Sequence, residues 1–193
     1  MLGSAFWGLA VDATSVYWTV NPSLDYASGS VVEVPIGGGA LTTLATNQYD
    51  PTGLAVDGTN VYWTTEYYTL MRVPIGGGTP ELVTHGIGPG PVVLDHGFIY
   101  SFDGEDIVKA SIEGNDWETL ASSPSNIYPI GLAVDGTSVY WTEDHFVLKV
   151  GTDGSNATEL LTRPEMPWAI AVDDTSIYWT EPEAGTLMKL TPK

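Results

Sequence analysis

The residues best suited to chemistry lie in short acidic and aromatic stretches between runs of apolar residues. Asp103, Glu105 and Asp106 put three carboxylates within four positions, and Glu143-Asp144-His145 adds a mixed oxygen and nitrogen set. Carboxylates this close suit a hard divalent cation such as calcium, with Asp103, Glu105 and Glu143 as the candidate ligands. Neither stretch has the spacing of a twelve-residue calcium loop or of a zinc-binding HExxH helix. The second chemistry is recognition. Tyr49, Tyr67, Tyr128 and Trp168 stand beside Asp50, Glu66 and His145 in segments that read as loops. Rings next to carboxylates suit a sugar, an ammonium group or a basic peptide, through stacking, hydrogen bonds and cation–π contact. Acid–base catalysis has less to draw on, because His85, His96 and His145 fall in different parts of the chain and no nucleophile motif accompanies them.

Positioning these loops is the task of a repeat. GLAVDGTNVYWT from Gly53 to Thr64 recurs as GLAVDATSVYWT at Gly8, PVVLDHGFIYSF at Pro91, GLAVDGTSVYWT at Gly131 and AIAVDDTSIYWT at Ala169. Each copy is an alternating apolar run, a turn of Asp, Gly, Thr or Ser, and a β-branched and aromatic run, which predicts an antiparallel hairpin. The repeated Asp at 12, 57, 95, 135 and 173 gives spacings of 45, 38, 40 and 38 residues. A period near forty with four strands per unit predicts propeller blades. In the first unit the strands are GLAVD, VYWT, GSVVEVPI (Gly29 to Ile36) and ALTTLAT (Ala40 to Thr46).

The expected fold is therefore all-β. It is a single β-propeller domain over residues 1–193, of about five four-stranded antiparallel blades at roughly 8–46, 53–85, 91–122, 131–162 and 169–193. The last blade is incomplete, since no fourth strand follows TLMKL, so a fragment of a six-bladed propeller and a homo-oligomer that completes the ring both stay open. The third unit departs from the pattern at His96-Gly97 and at Ser101, which stands where the others have Trp. This reads as drift in a repeat that only has to pack, with a functional blade as the alternative. Asp57, Thr59, Tyr62, Trp63 and their equivalents read as scaffold, because every repeat needs the same internal contacts.

Composition narrows the partners. Six Lys and Arg against 24 Asp and Glu leave a net charge of −18, which excludes a nucleic-acid footprint and disfavours an anionic membrane. No apolar run approaches the roughly 20 residues of a membrane helix. The absence of cysteine removes disulfides, thiolate metal sites and a cysteine nucleophile. The N-terminal MLGSAFWGLAVD has neither the basic nor the apolar region of a signal peptide.

With VYWT followed by an acidic residue, GxVxxVPxGG and the AVDxTxVYWT hairpin, the chain resembles the YWTD/TolB-like class of β-propellers. It looks most like the bacterial VYWT-repeat proteins common in myxobacteria. The resemblance implies a non-enzymatic binding scaffold in an extracytoplasmic location, whether secreted, periplasmic or at the cell surface. It also implies an alternative, a metal-dependent hydrolase or lyase of the lactonase-like kind built on Asp103, Glu105, Glu143 and His145. The preferred expectation is recognition of a glycan, peptide or protein by the acidic, aromatic loop face, with Tyr49, Asp50, Glu66, Tyr67, Tyr128, His145 and Trp168 in contact.

Overall fold

Each hairpin begins at an aspartate that bonds its own turn. Asp57 Oδ1 accepts the N–H of Thr59 at 2.6 Å, the N–H of Asn60 at 2.7 Å and the Thr59 hydroxyl at 2.9 Å, while Oδ2 accepts the Tyr62 hydroxyl at 2.9 Å. An Asp side chain that replaces backbone partners in this way fixes a tight turn. The tyrosine bond then ties the turn to the strand that leaves it. Asp12 with Tyr17, Asp135 with Tyr140 and Asp173 with Tyr178 repeat the arrangement at 2.8, 2.9 and 2.8 Å. The third unit has Asp95-His96-Gly97 instead, with His96 and Gly97 at φ of 48° and 81° and His96 Nδ1 at 2.8 Å from Asp95 Oδ1. Two consecutive positive φ values suit a two-residue hairpin loop.

A computed structural model describes residues 8–21, 28–114, 116–124, 127–162 and 165–193. Five antiparallel sheets follow one another along the chain, each a simple meander. The first holds β1 (Leu9–Val11), β2 (Ser15–Val20), β3 (Gly29–Pro35) and β4 (Thr42–Gln48). The second holds β5 (Pro51–Val56), β6 (Asn60–Thr65), β7 (Thr69–Pro74) and β8 (Glu81–His85). The third holds β9 (Val93–Asp95), β10 (Phe98–Asp103), β11 (Asp106–Ser111) and β12 (Trp117–Ser122). The fourth holds β13 (Gly131–Val134), β14 (Ser138–Glu143), β15 (Phe146–Gly151) and β16 (Thr158–Thr162). The fifth has three strands, β17 (Ile170–Val172), β18 (Ile177–Glu181) and β19 (Thr186–Leu190). No helix among the described residues is long and apolar enough to cross a membrane.

The inner strands β1, β5, β9, β13 and β17 lie side by side in that order, so the sheets stand as blades along an arc. Every four-stranded sheet shifts register between its two outer strands at the same repeat position, at Val31/Val32, Leu70/Met71, Ile107/Val108 and Val147/Leu148. A bulge there adds twist toward the outer edge. The fourth strand of the first blade accordingly runs two residues later than the sequence suggested, Thr42–Gln48.

Strand alternation gives each blade two apolar faces with different jobs. Tyr62 and Leu70 join Ile87, Val92, Ile99 and Val108 of the third blade, whereas Trp63, Leu54 and Val61 join Tyr17, Val31 and Leu44 of the first. The tyrosine face thus packs on the following blade and the tryptophan face on the preceding one. Tyr17, Tyr62, Tyr100 and Tyr140 are buried against the next blade, as are Trp63, Trp141 and Trp179 against the previous one. Each such side chain contributes about 1.5–3 kcal/mol by leaving water, so the joints between blades make up most of the core.

Candidate functional site

A three-atom bridge locks neighbouring blades at their inner strands. The Gly8 N–H donates to Thr19 Oγ1 at 2.9 Å, and that hydroxyl donates to the Thr52 carbonyl of the second blade at 3.1 Å. Gly53, Thr64 and the Gly90 carbonyl repeat it at 3.1 and 3.0 Å, and Gly131, Thr142 and the Trp168 carbonyl at 2.9 and 2.5 Å. Glycine is required at the start of the bridge because of close approach. A Cβ on Gly53 would lie 1.8 Å from the Gly90 oxygen and one on Gly131 would lie 2.4 Å from the Trp168 oxygen.

The third blade lacks both ends of this bridge. Pro91 takes the glycine position and has no N–H to donate, while Phe102 takes the threonine position and has no hydroxyl. Ser101 bonds within its own blade, to the Pro91 carbonyl at 2.9 Å. Where the bridge is missing there is a cavity of about 480 Å³, lined by Thr52, Gly53, Tyr68, Pro89, Gly90, Pro91, Phe102, Gly104, Tyr128, Pro129, Ile130 and Trp168. Pro91, Phe102 and Gly104 of the third unit thus line the cavity, whereas His96, Gly97 and Ser101, the departures read as drift, do not.

Two of the rings expected from the sequence stand at this cavity, Tyr128 at 65% exposure and Trp168 at 53%. Trp168 is held from below. Its N–H donates to the Thr180 carbonyl at 2.8 Å and its carbonyl accepts from Thr142, so an exposed indole stands on a backbone fixed at both polar atoms. Gly104 brings the acidic turn of β10 and β11 to the rim. Burial, with Asp106 as a second cause, pushes the Asp103 carboxyl above its ordinary range. Two like charges at one rim favour a cation as neighbour.

The other expected contact residues do not line the cavity. Tyr49 and Tyr67 meet each other edge to face, with centroids 4.8 Å apart and planes at 83°. Both are exposed, with Glu66 exposed and Asp50 half-buried beside them. His145 is exposed, its Nε2 at 3.6 Å from Asp144 Oδ1. Tyr68, Phe102, Pro91 and Ile130 line the cavity without having been among the expected contact residues; for Pro91 and Phe102 the paired loss of Gly and Thr was the signal.

Nor does the expected metal set come together. Among the described residues no three His, Asp or Glu side chains are grouped to hold an ion. Glu143 is fully buried, its Oε1 accepting from Ser123 Oγ at 2.9 Å and its Oε2 from the Trp141 indole N–H at 2.8 Å. Glu181 serves Trp179 in the same way at 3.0 Å. Positions i and i+2 share a strand face, so the acid after Trp141-Thr142 and after Trp179-Thr180 anchors the indole. Thr65 replaces that acid in the second blade, and there the Trp63 indole nitrogen is buried without a hydrogen-bond partner. Asp103 and Glu105 stay in the β10–β11 turn, where the Glu105 carbonyl accepts the N–H of Ser123, the residue whose hydroxyl serves Glu143.

No family model and no curated protein sequence matches the chain. Solved structures do. A chain of the nidogen/laminin complex is 21% identical, with a TM-score of 0.77 over 98% of this chain and 76% of its own length. The computationally designed Ika8 protein is 16% identical, with a TM-score of 0.73 over 97% of this chain. The chain spans 58% of the Ika8 chain. These likenesses establish the fold, and the protein is a β-propeller.

Proposed function

We propose that this propeller is a non-enzymatic binding module that takes a protein or peptide partner on the face carrying Tyr128 and Trp168. The observation behind the reading is that the scaffold's repeated bridge is given up where an aromatic cavity opens. Departures from an otherwise consistent local pattern concentrate at functional sites, and concave apolar sites with a few polar rim groups are the usual form of a recognition surface. The likeness to a chain of the nidogen/laminin complex, itself an assembly of proteins, supports a protein partner. With a net charge of −18 and an acidic rim, that partner is neutral or basic at the contact. An extracytoplasmic location and kinship with bacterial VYWT-repeat propellers belong to the same reading.

Peptide display against the immobilised protein tests it. Selected peptides should lose at least tenfold in affinity to Trp168→Ala and to Tyr128→Ala, with circular dichroism and Tm unchanged. Binding that ignores both substitutions, or enrichment on a glycan array with none among peptides, would overturn the reading.

A further inference from the structure

Two blades give their buried tryptophan a carboxyl group to bond. Glu143 accepts the Trp141 indole N–H at 2.8 Å and, across the joint, the hydroxyl of Ser123 at 2.9 Å. Glu181 accepts the Trp179 indole N–H at 3.0 Å and the hydroxyl of Thr186 at 3.0 Å. Both acids are buried, so this place in the repeat accommodates a carboxyl group on an indole N–H and a hydroxyl, in a chain of net charge −18.

The second blade keeps the donors without the acid. Thr65 stands where Glu143 and Glu181 stand, and the Trp63 indole nitrogen, on a side chain at 0% exposure, has no hydrogen-bond partner among the described residues. An unpaired buried N–H is costly. Thr69 pairs with Thr65 as Thr186 pairs with Glu181, and the two threonine hydroxyls are 2.6 Å apart. Asn47 takes the position of Ser123, two residues after the outer-strand alanines Ala45 and Ala121 that pair with Val31 and Ile107. A second buried polar atom without a partner among the described residues, Asn21 Oδ1, is at the same joint. A Cβ on Gly29 would lie 2.8 Å from it and 2.3 Å from Pro51 Cδ, and Pro51 is the strand partner of Thr65. On the outer side of the joint runs a cavity of about 500 Å³ whose walls include Asn47, Tyr49 and Met71, the strand partner of Trp63.

We propose that the joint between the first and second blades is a binding subsite for a carboxylate, which accepts the Trp63 indole N–H in the way Glu143 and Glu181 accept its equivalents. The carboxylate is that of a small free acid or one carried on a partner's chain. The Thr69 hydroxyl and the Asn47 amide are the further donors, at the places of Thr186 and Ser123. Asn21 Oδ1 is an acceptor for a peptide N–H, which a chain-borne carboxylate brings with it and free acetate does not. Tyr49 and Tyr67, the edge-to-face pair, stand at the loop end of this joint, where the Tyr67 N–H donates to Thr65 Oγ1 at 3.2 Å. The subsite shares no residue with the cavity of Tyr128 and Trp168 and is independent of the function proposed for that cavity.

Indole N–H signals in a nitrogen–proton correlation spectrum of the isotope-labelled protein read the site directly. Seven tryptophans give seven such signals, and Trp63→Phe identifies the one in question. Sodium acetate should move the Trp63 signal saturably while the Trp141 and Trp179 signals, whose donors are already bonded, stay in place. Sodium chloride at equal ionic strength should move none of the three. Thr65→Glu supplies the carboxylate from within, so its Trp63 signal should ignore acetate and its Tm should rise. If Trp63→Phe does not fold, the signal displaced most between the parent and Thr65→Glu is that of Trp63. N-acetylglycinate separates the two sources: tighter binding than acetate assigns the site to a chain-borne carboxylate, and equal binding assigns it to a free acid. A Trp63 signal that moves no further in acetate than in chloride, or that still responds to acetate in Thr65→Glu, would overturn the inference.

Discussion

The Thr142 hydroxyl stands 2.5 Å from the Trp168 carbonyl oxygen and accepts the Gly131 N–H at 2.9 Å. One small side chain thus fixes the fourth blade to the fifth and sets the backbone from which the exposed Trp168 indole projects. Scaffold and site are joined at this atom.

Thr142→Val keeps the shape and removes the hydroxyl, leaving a buried N–H and a carbonyl without their partner. The expected loss is about 1–3 kcal/mol of stability, seen as a lower urea midpoint. Affinity for peptides selected on Trp168 should weaken as well. An unchanged midpoint would show that the bridge contributes nothing.

Glycine substitutions should separate joint from surface. Gly53→Ala places a Cβ against the Gly90 backbone oxygen, where nothing flexible can yield, and should cost about 3 kcal/mol or more. A Cβ on Gly76 would meet nothing within 4 Å, so Gly76→Ala should stay within about 0.5 kcal/mol of the parent. Thermal melts of the two variants side by side decide the matter.

Glu143 is expected to behave as a structural acid. Glu143→Ala removes a charged acceptor from the Trp141 indole and the Ser123 hydroxyl in a buried setting, at a cost of about 2–3 kcal/mol. The loss should be the same with and without added calcium. A calcium-dependent loss would return Glu143 to a metal site.

The tyrosine latches predict an alkaline transition. Burial first, and then the bond to Asp57 or Asp135, push the Tyr62 and Tyr140 hydroxyls up to about 12. Because the folded state holds these protons more tightly than the unfolded chain, their contribution is complete below about pH 10 and is lost as pH rises from there towards 12. Urea midpoints from pH 9 to 12, followed with phenolate absorbance, should fall across that window. Tyr62→Phe should flatten part of the slope.

Acid should act through the other partner of the latch. Asp135 is driven upward by burial, but the Lys193 ammonium and the hydroxyl and N–H donors of the turn outweigh this and hold it well below the usual carboxylate range. Its contribution is present above about pH 4 and disappears as pH falls below that value. Lys193→Met should reduce the acid sensitivity of the urea midpoint between pH 5 and 2.

The blades were legible because Asp, Tyr and Trp recur at fixed spacing and each recurrence has a local physical cause. Outer strands were less so, since Thr42–Gln48 has few buried side chains and a bulge resets its register. Trp168 and Tyr128 could be found as aromatic residues in loops, but nothing local separates them from Tyr49 and Tyr67, which pair with each other instead. Glu143 looked like a ligand because Asp144 and His145 follow it. Its partner was in fact two residues before it, on the same side of the strand, where alternation would have placed it.

The joint between the third and fourth blades, where Pro91 and Phe102 replace the bridging pair, matters for the tolerance of the arc as a whole. Small angular errors at bridged joints add from blade to blade, and a ring can close only if the sum is absorbed somewhere. A joint without the inner-strand bridge has the slack to absorb it, since its cross-blade hydrogen bonds, Lys109 to the Thr152 carbonyl and Ser123 to Glu143, come from outside the inner strands. Amide exchange around Gly90–Val93 faster than around Gly53–Val56 would mark it as the compliant element of an otherwise stiff chain of blades.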